Sequence, residues 1–306
     1  MCSHCHSLGP WALQRRGLLV ALGAIGASAA MPAFAQVNVG EASSLRNLVP
    51  AGELEAAASQ QYAELIDMAR QKRALAPENH PQLQKLRTMT TRMVAHSARW
   101  NDRARQWQWE VNLIGSKQVN AFCMPGGKIA VFTGLIDQLQ LTDDETAMVL
   151  GHEIAHALRE HARARIVKSQ GTGAALSIGA ALLGLGNIGD LAANVGTQLL
   201  TLKYSRSDET DADLVGLELA ARAGFNPDAS IALWQKMGAV QGEGGPAFLS
   251  THPTGPDRMA RLRDNVPRVR GLYQQAIAGT PAATGTGMPP ATPVAPATAT
   301  PATVAR

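Results

Sequence analysis

The stretch GHEIAHALREH, residues 151–161, sets His152 and His156 four apart with Glu153 directly after the first. On a helix, that spacing projects both imidazoles from one face about one turn apart, where two nitrogens can meet one zinc ion. Glu153 then lies beside the metal and can take a proton from attacking water. Histidines four apart also occur as an ordinary surface pair, but the intervening glutamate in mid-helix suits hydrolysis better. His161 falls about half a turn round a continuous helix from His152 and so cannot share that metal. The metzincin pattern would need Gly at 159 and His at 162; Arg159 and Ala162 stand there instead. A third ligand must come from elsewhere.

The acidic segment YSRSDETDAD, residues 204–213, offers one. Asp208 and Asp211 fit the first turn of a helix, whose N-terminal end favours negative charge. Glu209 and Asp213 are four apart on another face of a helix starting near Ser205 or Ser207. One of them can bind metal while the other, a turn away, hydrogen-bonds a ligating imidazole. Spacing does not choose between them.

The elements that must position these residues are mostly helical. Helical spacing covers 51–75 and 82–100, with Pro81 suited to a first turn. QWQWEVNLI alternates like a half-buried strand, with Trp107, Trp109, Val111 and Leu113 on one face. Two β-rich runs around Pro125-Gly126-Gly127 read as a hairpin over 119–133. A long helix opens at LTDDE, where Thr142 and Glu145 fit a capping box, and runs to about Lys168. The apolar, glycine-rich stretch 171–200 is interrupted by Asn187 and Asp190, as in a buried helical hairpin or flap; insertion into a membrane is the lesser alternative. Helices over about 207–223 and 228–240 follow, then a loop through THPTGPDR and a last helix over about 257–275.

The 306 residues carry 28 Lys plus Arg against 24 Asp plus Glu, with no run of like charge, so nothing resembles a nucleic-acid footprint. Aromatics make up only 4%, which suits close-packed helices more than a large sandwich. Arg15-Arg16, an apolar run and Ala33-Phe34-Ala35 read as a signal peptide over 1–35, loosely of twin-arginine type, cut before Gln36; an uncleaved anchor is the alternative. Cys2, His4, Cys5 and His6 fall within it, which leaves Cys123 as the one mature cysteine and no internal disulfide. Residues 276–306, rich in Pro, Ala and Thr, read as a disordered tail. The domain proper is 36–275.

Four stretches, VNAFCMPGGKIAVFTGLI, LTDDETAMVLGHEIAHALREH, YSRSDETDADLVG and STHPTGPDRMARL, run in that order from about Gln118 to Leu262. Together they resemble the gluzincin metallopeptidase family that includes the type-I CAAX prenyl protease, HtpX and the Oma, BepA and LoiP peptidases. The exported BepA and LoiP type is the nearest in look. The resemblance implies an α+β, mostly helical zincin-type domain with a small β-sheet beside the active-site helix. It also implies one Zn2+ held by His152, His156 and Glu209, with Glu153 as the base and Asp213 as the supporting carboxylate. His252, followed by Pro253, is implied to approach the zinc as oxyanion stabiliser or as a fourth ligand that latches the site, and Arg206 to orient the carboxylates. Substrate is implied to add as a strand to the hairpin edge, at Asn120, Pro125, Gly126 and Gly127. Cys123 stands where the family has a nonpolar residue and reads as a small buried hydrophobe. The implied substrates are unfolded or damaged envelope proteins in the periplasm, with contact to the membrane or to outer-membrane assembly machinery. The rival is a latched or non-catalytic zinc protein acting as a chaperone or assembly factor. The intact Glu153 favours the enzyme, since a structural site has no use for a base there.

Overall fold

The computed structural model describes residues 37–168, 199, 202–240, 247–253, 255 and 257–279. The expected signal peptide, the stretch 171–200 apart from residue 199, and the tail beyond 279 lie outside the described residues. Among the described residues no helix is long and apolar enough to cross a membrane.

Helix α1 (Ala51–Gln71) buries Leu54, Ala58, Tyr62, Ile66 and Ala69 at helical spacing, and α2 (Pro81–Val94) starts on its proline. Both end before the expected limits. Past α1, Arg73 turns left-handed at φ 53°, and past α2 the chain tightens into a 3-10 turn at Ser97–Arg99.

Strand β1 (Glu110–Ile114) is also shorter than the sequence pattern suggests. The indole N–H groups of Trp107 and Trp109 donate to Glu55 and to the Ala104 carbonyl, which holds the preceding residues off the sheet. Strands β2 (Ala121–Met124) and β3 (Lys128–Phe132) form the expected hairpin. Its turn has Gly126 at φ 83° and Gly127 at φ 81°, a left-handed pair that glycine adopts without steric cost. The sheet order is β1-β3-β2, with β1 parallel and β2 antiparallel to β3. Among the described residues β2 is therefore an edge strand.

After α3 (Thr133–Leu139) comes α4 (Asp143–Leu158), the helix of the HExxH stretch. The Thr142–Glu145 capping box forms in both directions, satisfying two backbone N–H groups at the helix start. From Glu145 to Leu158 every residue of α4 is buried, so it runs through the core. The expected continuation to Lys168 is broken at Arg159 and Glu160, and a separate helix, α5, covers 161–168. Helices α6 (Arg206–Arg222), α7 (Ala229–Ala239), the short α8 (Ala247–Thr251) and α9 (Arg258–Gly279) complete the described chain. α9 runs past the expected end near 275. The whole is an α+β, mostly helical domain with a small mixed sheet, as the sequence suggests.

Candidate metal centre and active site

Two helices carry the site, and two glycines let them meet. A Cβ on Gly216 of α6 would lie 2.6 Å from the Gly151 carbonyl carbon and the His152 nitrogen of α4. Bare backbone contact at this crossing brings Glu209 and Asp213 of α6 against His152 and His156 of α4. α6 is capped by Ser205, whose hydroxyl and backbone N–H are both bound by Asp208, the acid three residues on. Asp208 is thus a helix-start acid, as the sequence suggests.

His152 Nε2 lies 3.1 Å from His156 Nε2 and 3.5 Å from Glu209 Oε2, and His156 Nε2 lies 3.4 Å from Glu209 Oε1. His252 adds its Nδ1 at 3.3 Å from His152 Nε2 and 3.2 Å from Glu209 Oε1. Tetrahedral donors about 2.05 Å from a zinc ion lie about 3.3 Å from one another. Five of the six side-chain pairs approach to 3.1–3.5 Å, close to that spacing, and all four residues offer nitrogen or oxygen donors of the kind zinc prefers. All four are at most 3% exposed.

The electrostatics suit a cation. Burial works against charge on Glu209, but hydrogen bonds from His152, His156 and His252 outweigh it and hold its carboxyl far below the usual range. Burial likewise opposes charge on His152, yet Asp213 and Glu209 prevail and its pKa is pushed up to about 10. At His156 burial wins over Glu209, and the pKa falls well below the ordinary value. Burial pushes the Glu153 carboxyl up, against the pull of His252 and His152.

His152 Nδ1 meets Asp213 Oδ1 at 3.0 Å, which fixes the tautomer that turns Nε2 toward the centre. Arg206, expected to orient the carboxylates, is exposed on the first turn of α6. Arg258 does this instead, with Nη2 on Glu209 Oε2 and Nε on Asp213 Oδ2, both at 2.6 Å. Its guanidinium also lies 3.7 Å from the centre of the Trp234 ring. The sequence held this residue in view within STHPTGPDRMARL, but no periodicity ties it to α6. Asp211, expected to be a plain helix-start acid, bonds Arg159 at 2.7 Å and His161 at 3.2 Å.

Glu153 Oε1 is buried without a hydrogen-bond partner among the described residues, 3.5 Å from His252 Nε2. Glu153 and His252 line a cavity of about 30 Å³ together with Asn120 to Pro125, the length of β2. Asn120 and Pro125 thus stand beside the base, whereas Gly126 and Gly127 sit in the turn against Glu55 and Trp109. Cys123 lines the same cavity and is buried, and that burial pushes its thiol well up, as for an inert small hydrophobe. His252 is seated by Phe248 of α8, their rings stacked with centroids 4.4 Å apart.

The chain is 33% identical over 199 residues to the mitochondrial metalloendopeptidase OMA1 of Schizosaccharomyces pombe, covering 64% of this chain and 56% of that protein. It is 30% identical over 155 residues to the metalloprotease LoiP of Escherichia coli, covering 49% and 60% of the two chains. It is 28% identical over 222 residues to the β-barrel assembly-enhancing protease of Escherichia coli, covering 68% and 44%. The matches thus span about half the length of these relatives. Residues 81–266, which include α4, α6 and the His252 segment, match the model of peptidase family M48, and the chain belongs to that family.

Proposed function

We propose that this chain is a zinc metalloendopeptidase in which His152, His156 and Glu209 hold the metal and Glu153 is the general base. The observation that carries this reading is the convergence of those ligating atoms at tetrahedral spacing with the unpartnered Glu153 Oε1 beside them. A zinc ion held by His152, His156 and Glu209 would supply Lewis acidity for the scissile carbonyl and for the attacking water. Glu153 takes the proton from the attacking water and hands it to the leaving amine. Its raised pKa suits both tasks better than that of a solvated carboxylate. Asp213 and Arg258 keep His152 and Glu209 in place. Substrate lies along the outer edge of β2, adding a strand whose backbone is read with little regard to side chains. That mode fits unfolded or damaged proteins. The signal-like pattern of residues 1–35 supports an envelope location, and the relative named for β-barrel assembly supports contact with such machinery.

The test is casein cleavage by the purified chain, by Glu153→Gln and by the chain with chelator. Cleavage is expected in the first alone, with Glu153→Gln reduced by 10²-fold or more, on the order of a lost general base. Equal cleavage by Glu153→Gln would overturn the reading.

The position of His252 favours a second statement about the same centre. Its Nδ1 lies 3.2 Å from Glu209 Oε1 and 3.3 Å from His152 Nε2, where it would serve as a fourth ligand, and the adjoining cavity of about 30 Å³ has room for little more than a water. A catalytic zinc keeps one position open. This supports a resting form latched by His252, which peptide would enter as that side chain swings out. His252→Ala should raise casein turnover several-fold; a fall would assign His252 to oxyanion stabilisation instead.

A further inference from the structure

We propose that His161 is a positioning residue for the metal centre, linking the ligand His156 to the partly buried carboxylate of Asp211 through a chain of hydrogen bonds. This rests on His156 being a ligand, as proposed above.

The two ligating imidazoles of α4 face different partners on their far sides. His152 presents Nδ1 directly to a carboxylate, Asp213 Oδ1, at 3.0 Å. His156 presents Nδ1 to another imidazole, with His161 Nδ1 at 3.0 Å. A neutral imidazole that binds metal through Nε2 carries its proton on Nδ1. His156 therefore donates, and His161 Nδ1 must be the bare acceptor. The His161 proton is then on Nε2, which lies 3.2 Å from Asp211 Oδ2 and donates to it. Arg159 Nε donates to the same oxygen at 2.7 Å and fixes the carboxylate. Every tautomer along the path is set by its neighbour.

The backbone is bent to make this contact. On an unbroken helix His161 would point away from His156. The break at Arg159 and Glu160 redirects it, and Glu160 sits at φ 54°, a left-handed conformation that is strained for a residue with a side chain. Arg163 and Arg46 both pair with the Glu160 carboxylate and hold the bend. His161 is 5% exposed, so water is a poor substitute for its Nδ1. The two supporting carboxylates, Asp211 and Asp213, both come from α6, so one helix fixes both α4 ligands.

The test is zinc affinity of the full chain, measured by competition with a chromophoric chelator, alongside thermal melting in excess chelator. His161→Phe removes the acceptor and should weaken zinc binding about 10–100-fold, as loss of a ligand-orienting partner does. In His161→Gln the amide oxygen accepts from His156 and the amide nitrogen donates to Asp211, so affinity should stay within about 3-fold of the parent. Melting in chelator is expected to fall equally in both variants or not at all, which separates positioning from general support. Asp211→Asn keeps an acceptor but loses the charge, and should weaken zinc about 3–10-fold; it decides the matter should His161→Phe not fold. Zinc binding unchanged in His161→Phe, or in Asp211→Asn where that variant decides, would overturn the proposal. A parent chain that binds no zinc would instead overturn the reading of His156 as a ligand.

Discussion

Arg258 pairs with two of the charged groups on which the centre depends. Its fork donates to Glu209 and Asp213 at once, and all three groups are buried. Removing one partner of such a buried set leaves an uncompensated charge, at a cost of about 3–5 kcal/mol. Arg258→Lys is the more informative change, because an ammonium keeps the charge and cannot span two carboxylates in one plane. It should weaken zinc binding about tenfold while the chain stays folded, as a competition titration beside a far-UV spectrum would show. Parent-like affinity would mean that the fork positions nothing. This residue also marks what the sequence could reveal. His152, Glu153 and His156 were legible because helical geometry joins residues four apart, and Glu209 with Asp213 for the same reason. Arg258 meets them across a tertiary gap that no local pattern encodes. The neighbouring Arg206, chosen on the strength of resemblance, proves to be exposed.

At the scale of elements, the crossing of α4 and α6 decides whether His152, His156 and Glu209, the proposed ligands, meet at one centre. Alanine in place of Gly216 gains about 1 kcal/mol in helix propensity. Its Cβ, however, would press within 2.6 Å of backbone atoms that have no rotamer to yield. Overpacking of this kind costs about 1–3 kcal/mol, so the steric term should win. Gly216→Ala is expected to melt on the order of 5 °C lower and to lose turnover on the order of 10²-fold, since an ångström of misplacement is enough. A variant melting higher with full turnover would show that the crossing has slack. The capping boxes of α4 and α6 and the glycine turn between β2 and β3 were legible because each is local chemistry. The break after Leu158 was not, because neither Gly nor Pro marks it; Arg159 and Glu160 are held there by Asp211, Arg163 and Arg46. Since the break is what turns His161, its role was illegible for the same reason.

For the whole molecule, the centre is a buried cross-link between three chain segments: α4, α6 and the residues between α8 and α9. His152, Glu153, His156, Glu209, Asp213, His252 and Arg258 are all under a tenth exposed, an unusual concentration of ionisable groups inside a core. Without a cation, their desolvation is offset only by one another. Zinc binds the folded arrangement and not the unfolded chain, so at a thousandfold excess over its dissociation constant it should add about 4 kcal/mol. For a domain of this size each kcal/mol raises the melting temperature by about 2–4 °C, so chelation should lower it on the order of 10 °C. The variants should order themselves by ligand count. Glu209→Gln loses an anionic ligand and should melt alike with and without chelator. His252→Ala retains His152, His156 and Glu209, and should keep part of the zinc-dependent shift while gaining turnover. That opposite movement of stability and activity is what a latch requires, because a contact that closes the resting centre stabilises the form that cannot act. Were His252→Ala to lose the whole zinc-dependent shift, His252 would be an indispensable ligand, and the centre a closed structural one.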